Sequence, residues 1–326
     1  MSHSGSAYVL ARMVFLGLVG LAFVWALIHA DFSIVPGSGI WFRYELWVFL
    51  LAWTLLPFGL GLLWRWNLLF SVGWRLPWTD WLATQSVAWA GRYLPGKAGL
   101  WIAKIGAFGF KEGTKRRVSH SVIVEQVLFL LSGLLFALLL LPWARLLSLT
   151  QFSDAVPAAV LTHAGSALGL GMRVLVALTL VCSTLLFLSY LGTKLGAGMR
   201  RTDAFRWLGL LTAHASIHLA LGLSLYPLIS LMLPDAALML GPLGVAAVLA
   251  LANSLGIMAV FAPAGLGVRE AVLALCLSVD VAFAAALSVA LFLRLVTMLA
   301  DGLFSVLGGA AALVMRRLCQ APVSRH

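Results

Sequence analysis

Apolar runs of about twenty residues, each long enough to cross a hydrocarbon core ~30 Å thick, recur along the whole chain and limit its folding more than any other feature. The runs at about 12–30, 46–64, 119–141, 171–191 and 207–233 read as full crossings. A further run at 281–315 reads as one crossing that is tilted, broken near Gly302 or Gly308-Gly309, or projecting into water. Only 10% of the 326 residues are charged and 62% are hydrophobic. A water-soluble domain carries about 25% charged residues, so no aqueous domain is expected. The predicted fold is an all-α polytopic membrane protein, a single integral membrane domain over 1–326. The first run has no small-residue cleavage pattern after it and continues into His29-Ala30-Asp31, so a retained helix is expected rather than a removed signal peptide.

Two more apolar stretches, 78–110 and 242–279, are interrupted by Pro/Gly turns and are predicted to be re-entrant hairpins of two half-helices each. Six crossings plus two hairpins put both termini on one side. The distribution of positive charge tests that arrangement. Of the 22 basic residues, fourteen fall inside: Arg12, Arg65, Arg75, and those in 111–117, 194–206 and 316–325. Only Arg43, Arg145 and Arg173 fall outside, so the N-in, C-in orientation follows. The net charge of +11 is then a topology signal and an attraction to anionic lipid, and nucleic acid is not an expected partner. The loop from Pro142 to Gly169 is expected to lie along the outer interface.

The first hairpin reads WLATQSVAWAGRYLPGKAGLWIAKIGAF and the second LANSLGIMAVFAPAGLGVREAVLALCLS. In each, a polar residue (Gln85, Asn253) precedes an aromatic (Tyr93, Phe261), then a proline, then a glycine four residues later. Three crossings separate the two copies, and an odd number inverts the second relative to the first. Inverted halves of roughly 40–141 and 171–315 follow, an arrangement that places transport sites near the midplane. A helix broken in lipid frees backbone groups that protein, water or ligand must satisfy, and each new half-helix points its positive end at the break. The turn-forming residues are Pro95, Gly96, Gly99, Pro263, Gly265 and Gly267. Arg92, Lys97 and Arg269 flank the turns, and with Tyr93, Lys104 and Glu270 they are the predicted head-group site for a phosphate or carboxylate.

RYLPGK (Arg92 to Lys97) followed by GLW, and APAGLGVREA (Ala262 to Ala271), resemble the two motif regions of the lysylphosphatidylglycerol synthase transmembrane-region family. That family includes the membrane flippase half of the bacterial multiple-peptide-resistance factor. The resemblance spans about 12–315 and implies movement of a polar-headed lipid between the leaflets of a bacterial cytoplasmic membrane. Many relatives show Pro-Gly-Gly where this chain has Pro263-Ala264-Gly265. The 326 residues contain no aminoacyltransferase-like domain, so translocation without lysyl-lipid synthesis is expected.

Charged groups at membrane depth are costly enough to be site candidates. Arg294 and Asp301, seven apart, share one helix face and read as an ion pair, as residues with separate partners, or as a coupling element. Glu125 with Gln126 reads either as facing the same cavity or as hydrogen-bonded near the inner interface; Glu270 reads as neutralising Arg269, binding a cationic head group or carrying a proton, and Glu270 and Asp301 are the candidate proton carriers. His214 and His218 share a face but lack the glutamate of a zinc-hydrolase motif and read as a packed polar pair. Ten tryptophans near predicted helix ends, Trp64, Trp81 and Trp207 among them, read as an interfacial belt. Cys182, Cys276 and Cys319 are scattered, and no metal site or cofactor is expected. There is no Walker A string, GxSxG elbow or paired acidic motif. The expected function is transbilayer flipping of a lipid with a phosphate-bearing head group, an aminoacylated phospholipid or a polyprenyl-phosphate-linked sugar. The alternative is a membrane-embedded glycosyl or lipid transferase, or an accessory subunit of one. Expected partners are membrane lipids, with a second copy or a lipid-modifying enzyme as candidate protein partners.

Overall fold

The computed structural model describes residues 28, 37–73, 76–94, 98–108, 112–142, 167–195, 202–259, 262–278 and 281–320. The predicted first crossing, nearly all of the outer loop, and Pro95, Gly96, Lys97 and Phe261 lie outside the described residues. A short 3-10 turn at Ser38–Phe42 leads into nine helices. These are α1 (Tyr44–Val72), α2 (Trp78–Gly91), α3 (Ala98–Gly106), α4 (Glu112–Leu140), α5 (Ala167–Lys194), α6 (Thr202–Met232), α7 (Pro234–Met258), α8 (Val268–Leu277) and α9 (Phe283–Gln320). Six of them (α1, α4, α5, α6, α7 and α9) are long and apolar enough to cross a membrane. The chain is an integral, multi-pass, all-α membrane protein. Large apolar side chains such as Phe42, Leu186, Leu238 and Val306 are exposed on its outer surface, as a hydrocarbon solvent permits.

The first interrupted segment folds as predicted, with α2 and α3 as two short arms. They close on one another so tightly that a Cβ on Gly91 would sit 2.6 Å from the Gly99 carbonyl carbon. The second differs from the expectation of two half-helices. Its first arm, α7, starts eight residues early at Pro234 and is long enough to cross on its own. The predicted start at 242 coincides with a kink, where Gly241 adopts φ 64°, ψ 175°, a conformation open to glycine, and Pro242 begins the next segment. From Pro242 to Met258 the arm rises about 25 Å, while α8 has only ten residues. The last helix is unbroken. α9 runs 38 residues through Gly302, Gly308 and Gly309, about 57 Å in all. Gly308 lets α2 approach, because a side chain there would strike the Ser86 hydroxyl.

The two hairpins pack reciprocally. α2 lies along α9, the crossing that closes the second half, and α7 lies along α4, the crossing that closes the first. α5 stands outside this exchange, resting mainly on α4 with most of its surface uncovered. One apolar cluster joins Trp64, Leu68, Trp81, Leu100 and Val118 at the base of the first hairpin. A larger cluster joins Leu46, near the start of α1, to Leu233, Leu277 and Ala285 at the base of the second, and runs inward from there as far as Trp89, Phe129 and Phe304. The hairpins therefore insert from opposite ends, as an inverted repeat requires.

Several tryptophans depart from the belt expectation. Trp41, Trp47, Trp66 and Trp78 are exposed, but Trp64, Trp81 and Trp207 are buried. Their size fills the space between helices, and the indole N–H finds an internal acceptor: Trp81 donates to the Gly61 carbonyl at 2.8 Å and Trp64 to the Ser121 hydroxyl at 3.2 Å.

Candidate functional site

The two Pro/Gly turns meet. The Ala264 N–H of the second donates to the Arg92 carbonyl of the first at 3.3 Å, so each break supplies part of the backbone pairing the other lacks. α9 runs behind both. Asp301, 2% exposed, accepts from four donors: Arg92 Nη2 at 2.6 Å, Tyr93 Oη at 2.5 Å, Trp89 Nε1 at 2.7 Å and Trp53 Nε1 at 3.1 Å. Two turns earlier on α9, Arg294 reaches the second hairpin. Its Nη1 donates to the Ala264 carbonyl at 3.4 Å, and its Nε lies 3.3 Å from Glu270 Oε1. The other Glu270 oxygen accepts the Gly267 N–H at 2.6 Å, closing the first turn of α8. Arg294 and Asp301 thus have separate partners on different hairpins.

Three guanidiniums (Arg92, Arg269, Arg294) gather around two carboxylates (Glu270, Asp301). Arg92 and Arg294 each take one. Arg269, 4% exposed, stacks over the Trp53 ring at 4.3 Å and has no ion pair among the described residues. Its Nε is buried with no hydrogen-bond partner. The cluster therefore carries one positive charge more than it neutralises, in a place where a lone charge costs several kcal/mol.

That charge lines a cavity. A cleft with a cavity volume of about 80 Å³, open on one side, lies between α1, both hairpins and α4. Its aromatic wall is Trp53, Trp89 and Phe129, and its polar groups are Arg92, Glu125, Gln126, Asn253 and Arg269. Asn253, 8% exposed, leaves its Nδ2 donor unpartnered. Three orphaned donors, Arg92 Nε, Arg269 Nε and Asn253 Nδ2, thus sit in one cavity wall, two of them cationic, and an oxyanion is the ligand that would satisfy them.

The predicted site residues sort as follows. Arg92 and Arg269 line the cavity, and Tyr93 and Glu270 stand behind it, holding Asp301 and the α8 start. Glu125 and Gln126 do face the cavity. Lys104 does not; it is 1% exposed, lies over the Trp64 ring and pairs with Glu125 at 2.5 Å. The sequence pattern gave no separation between a basic residue aimed at the cleft and one aimed at a neighbouring helix. Sequence reasoning left out Trp53 and Trp89, and marked Asn253 as part of the repeat pattern without assigning it to the site. Trp89 had a usable signal, standing three residues before Arg92 on the same helix face. The buried His214 and His218 both pack against Phe129, and one ring nitrogen of each meets a backbone carbonyl, His214 Nδ1 that of Leu210 at 2.7 Å and His218 Nε2 that of Phe129 at 3.1 Å. Among the described residues no group of three or more potential metal ligands occurs.

Comparison with protein-family models and with curated proteins finds no match for this chain.

Proposed function

We propose that this protein moves a lipid with a phosphate-bearing head group across a bacterial cytoplasmic membrane, its tails staying in hydrocarbon while the head group crosses through the cavity. The observation that carries this reading is Arg269: a buried guanidinium in a cavity wall with no carboxylate of its own, beside the orphaned amide of Asn253. An isolated charge at such depth is tolerated where a ligand of opposite sign completes it. The physical gain is that a charged head group never has to enter hydrocarbon unsolvated. The motif resemblance to the lysylphosphatidylglycerol synthase transmembrane region points the same way. Aminoacylated or simple phospholipids and polyprenyl-phosphate-linked sugars all present the required oxyanion.

The test uses proteoliposomes of phosphatidylcholine with a trace of fluorescent phosphatidylglycerol, read by a membrane-impermeant quencher. The wild type exposes label from the inner leaflet, and Arg269→Gln abolishes that exposure while inserting normally. Exchange by Arg269→Gln at the wild-type rate overturns the site. A chemically altered lipid instead of a relocated one points to a transferase.

A further inference from the structure

Two of the three buried ion pairs described above are built on arginine, whose guanidinium does not give up its proton in a protein. The third, Lys104–Glu125, joins two groups that both titrate. Its lysine is 1% and its glutamate 4% exposed. Glu125 is also the only carboxylate in the cavity wall among the described residues. Asp301 and Glu270, the carriers expected from the sequence, are poorly suited to the task. Asp301 is held by four donors and Glu270 by Arg294 and the Gly267 N–H.

We infer that Glu125 is a proton site coupled to the head group, so that each anionic lipid crosses together with one proton. This rests on the translocase reading. Without a bound head group, the Glu125 carboxylate is balanced by Lys104. A phosphate docking at Arg269 and Asn253 brings a second negative charge into the same cavity, and like charges favour protonation of the carboxylate. Protonated Glu125 leaves the Lys104 ammonium behind it without a counter-charge, and that charge adds to the attraction for the phosphate. Proton and head group therefore raise one another's affinity, as linkage requires. The groups around Glu125 support this assignment. α3 supplies Lys104, and α6 supplies His214, which interacts electrostatically with that lysine. His218, also on α6, bonds the backbone of Phe129. Arg92 and Arg269 share the cavity from the two hairpins, and α7 contributes the neutral Asn253.

An anion plus a proton is electrically neutral, and this separates coupled from uncoupled movement. In phosphatidylcholine vesicles bearing fluorescent phosphatidylglycerol, the steady-state leaflet ratio is read under an imposed pH gradient and, separately, under a potassium–valinomycin potential. Coupling of one proton per lipid shifts the ratio about tenfold per pH unit toward the alkaline leaflet and leaves it indifferent to the potential. A wild-type ratio that ignores the pH gradient, or follows the potential, overturns the coupling while leaving the translocase reading intact. Absence of exchange under every gradient removes the translocase reading and the coupling with it. Glu125→Gln makes the ratio blind to pH and responsive to potential, as does the double variant Lys104→Met/Glu125→Gln, which leaves no buried lone charge. Tenfold pH dependence retained in either variant overturns the assignment to Glu125.

Discussion

Arg92 and Asp301 stand 209 positions apart in the chain and 2.6 Å apart in space. The contact ties the turn of the first hairpin to α9, and Arg294 ties the same helix to the turn of the second through Ala264 and Glu270. Arg294 and Asp301 are two helical turns apart on α9, about 10 Å along its axis. That spacing sets the two breaks side by side, and the Ala264–Arg92 hydrogen bond closes the seam between them. α9 is thus the strut on which a site made of two short-lived-looking turns becomes rigid.

Asp301→Asn should therefore be far more damaging than a change at a surface pair. The variant leaves Arg92 buried without its counter-charge, a loss on the order of 3–5 kcal/mol. Arg316→Ala breaks a comparable contact with Asp80 at 2.6 Å, but both side chains there are nearly half exposed, and the cost is about 0–1 kcal/mol. Thermal unfolding of detergent-solubilised protein ranks the two, and equal shifts in midpoint contradict the strut.

The sequence made most of this architecture legible. Hydropathy located α1, α4, α5, α6 and α9, because in lipid a crossing must be a continuous apolar helix. The Pro/Gly strings located both breaks. What the pattern could not convey was length and partnership. The extra turns of α7 before Gly241 begin at Pro234-Asp235 and end at Gly241-Pro242, so the pattern reads them as a connection rather than as part of the arm. Arg294 and Asp301 share a face, but only the packed bundle decides that one reaches Glu270 and the other Arg92. Lys104 and Arg269 look alike as basic residues at depth, and their fates diverge because one helix delivers a glutamate and the other does not.

The close approach of Gly91 and Gly99 makes the first hairpin intolerant of even a methyl group. Gly91→Ala places Cβ against backbone, which has no flexible end to yield, and should cost about 1–3 kcal/mol or force the arms apart. Gly106→Ala, with nothing within 4 Å of the new carbon, should stay within about 1 kcal/mol of wild type. Unfolding midpoints of the two variants distinguish a packing constraint from a general sensitivity of α3.

Ala264 adopts φ 49°, ψ 25°, the left-handed region that side chains other than glycine avoid. This is the position where the sequence departs from Pro-Gly-Gly. Ala264→Gly removes about 1–2 kcal/mol of backbone strain and returns about 0.4–1 kcal/mol of unfolded-state entropy, for a net gain between roughly 0 and 1.6 kcal/mol. Ala264→Val should destabilise, since branching adds crowding to the same strained backbone. A lower midpoint for the glycine variant would mean the turn is not strained as described.

The opposed insertion of the hairpins predicts opposite labelling. Asp80, at the base of the first hairpin, meets Arg316 at the end of α9, so both belong to one face of the membrane. Ser278 closes α8 next to Leu277, which clusters with Leu233 and with Leu46 near the start of α1, whereas Leu68 near the end of α1 clusters with Trp81 of the first hairpin. With Cys182, Cys276 and Cys319 replaced by alanine, Asp80→Cys and Arg316→Cys should react with an impermeant maleimide from one side of the membrane and Ser278→Cys from the other. The excess of basic residues assigns the first side to the cytoplasm. Labelling of Asp80→Cys and Ser278→Cys from the same side would show that the two turns cannot meet as mirror-related halves, and the shared cavity would lose its basis.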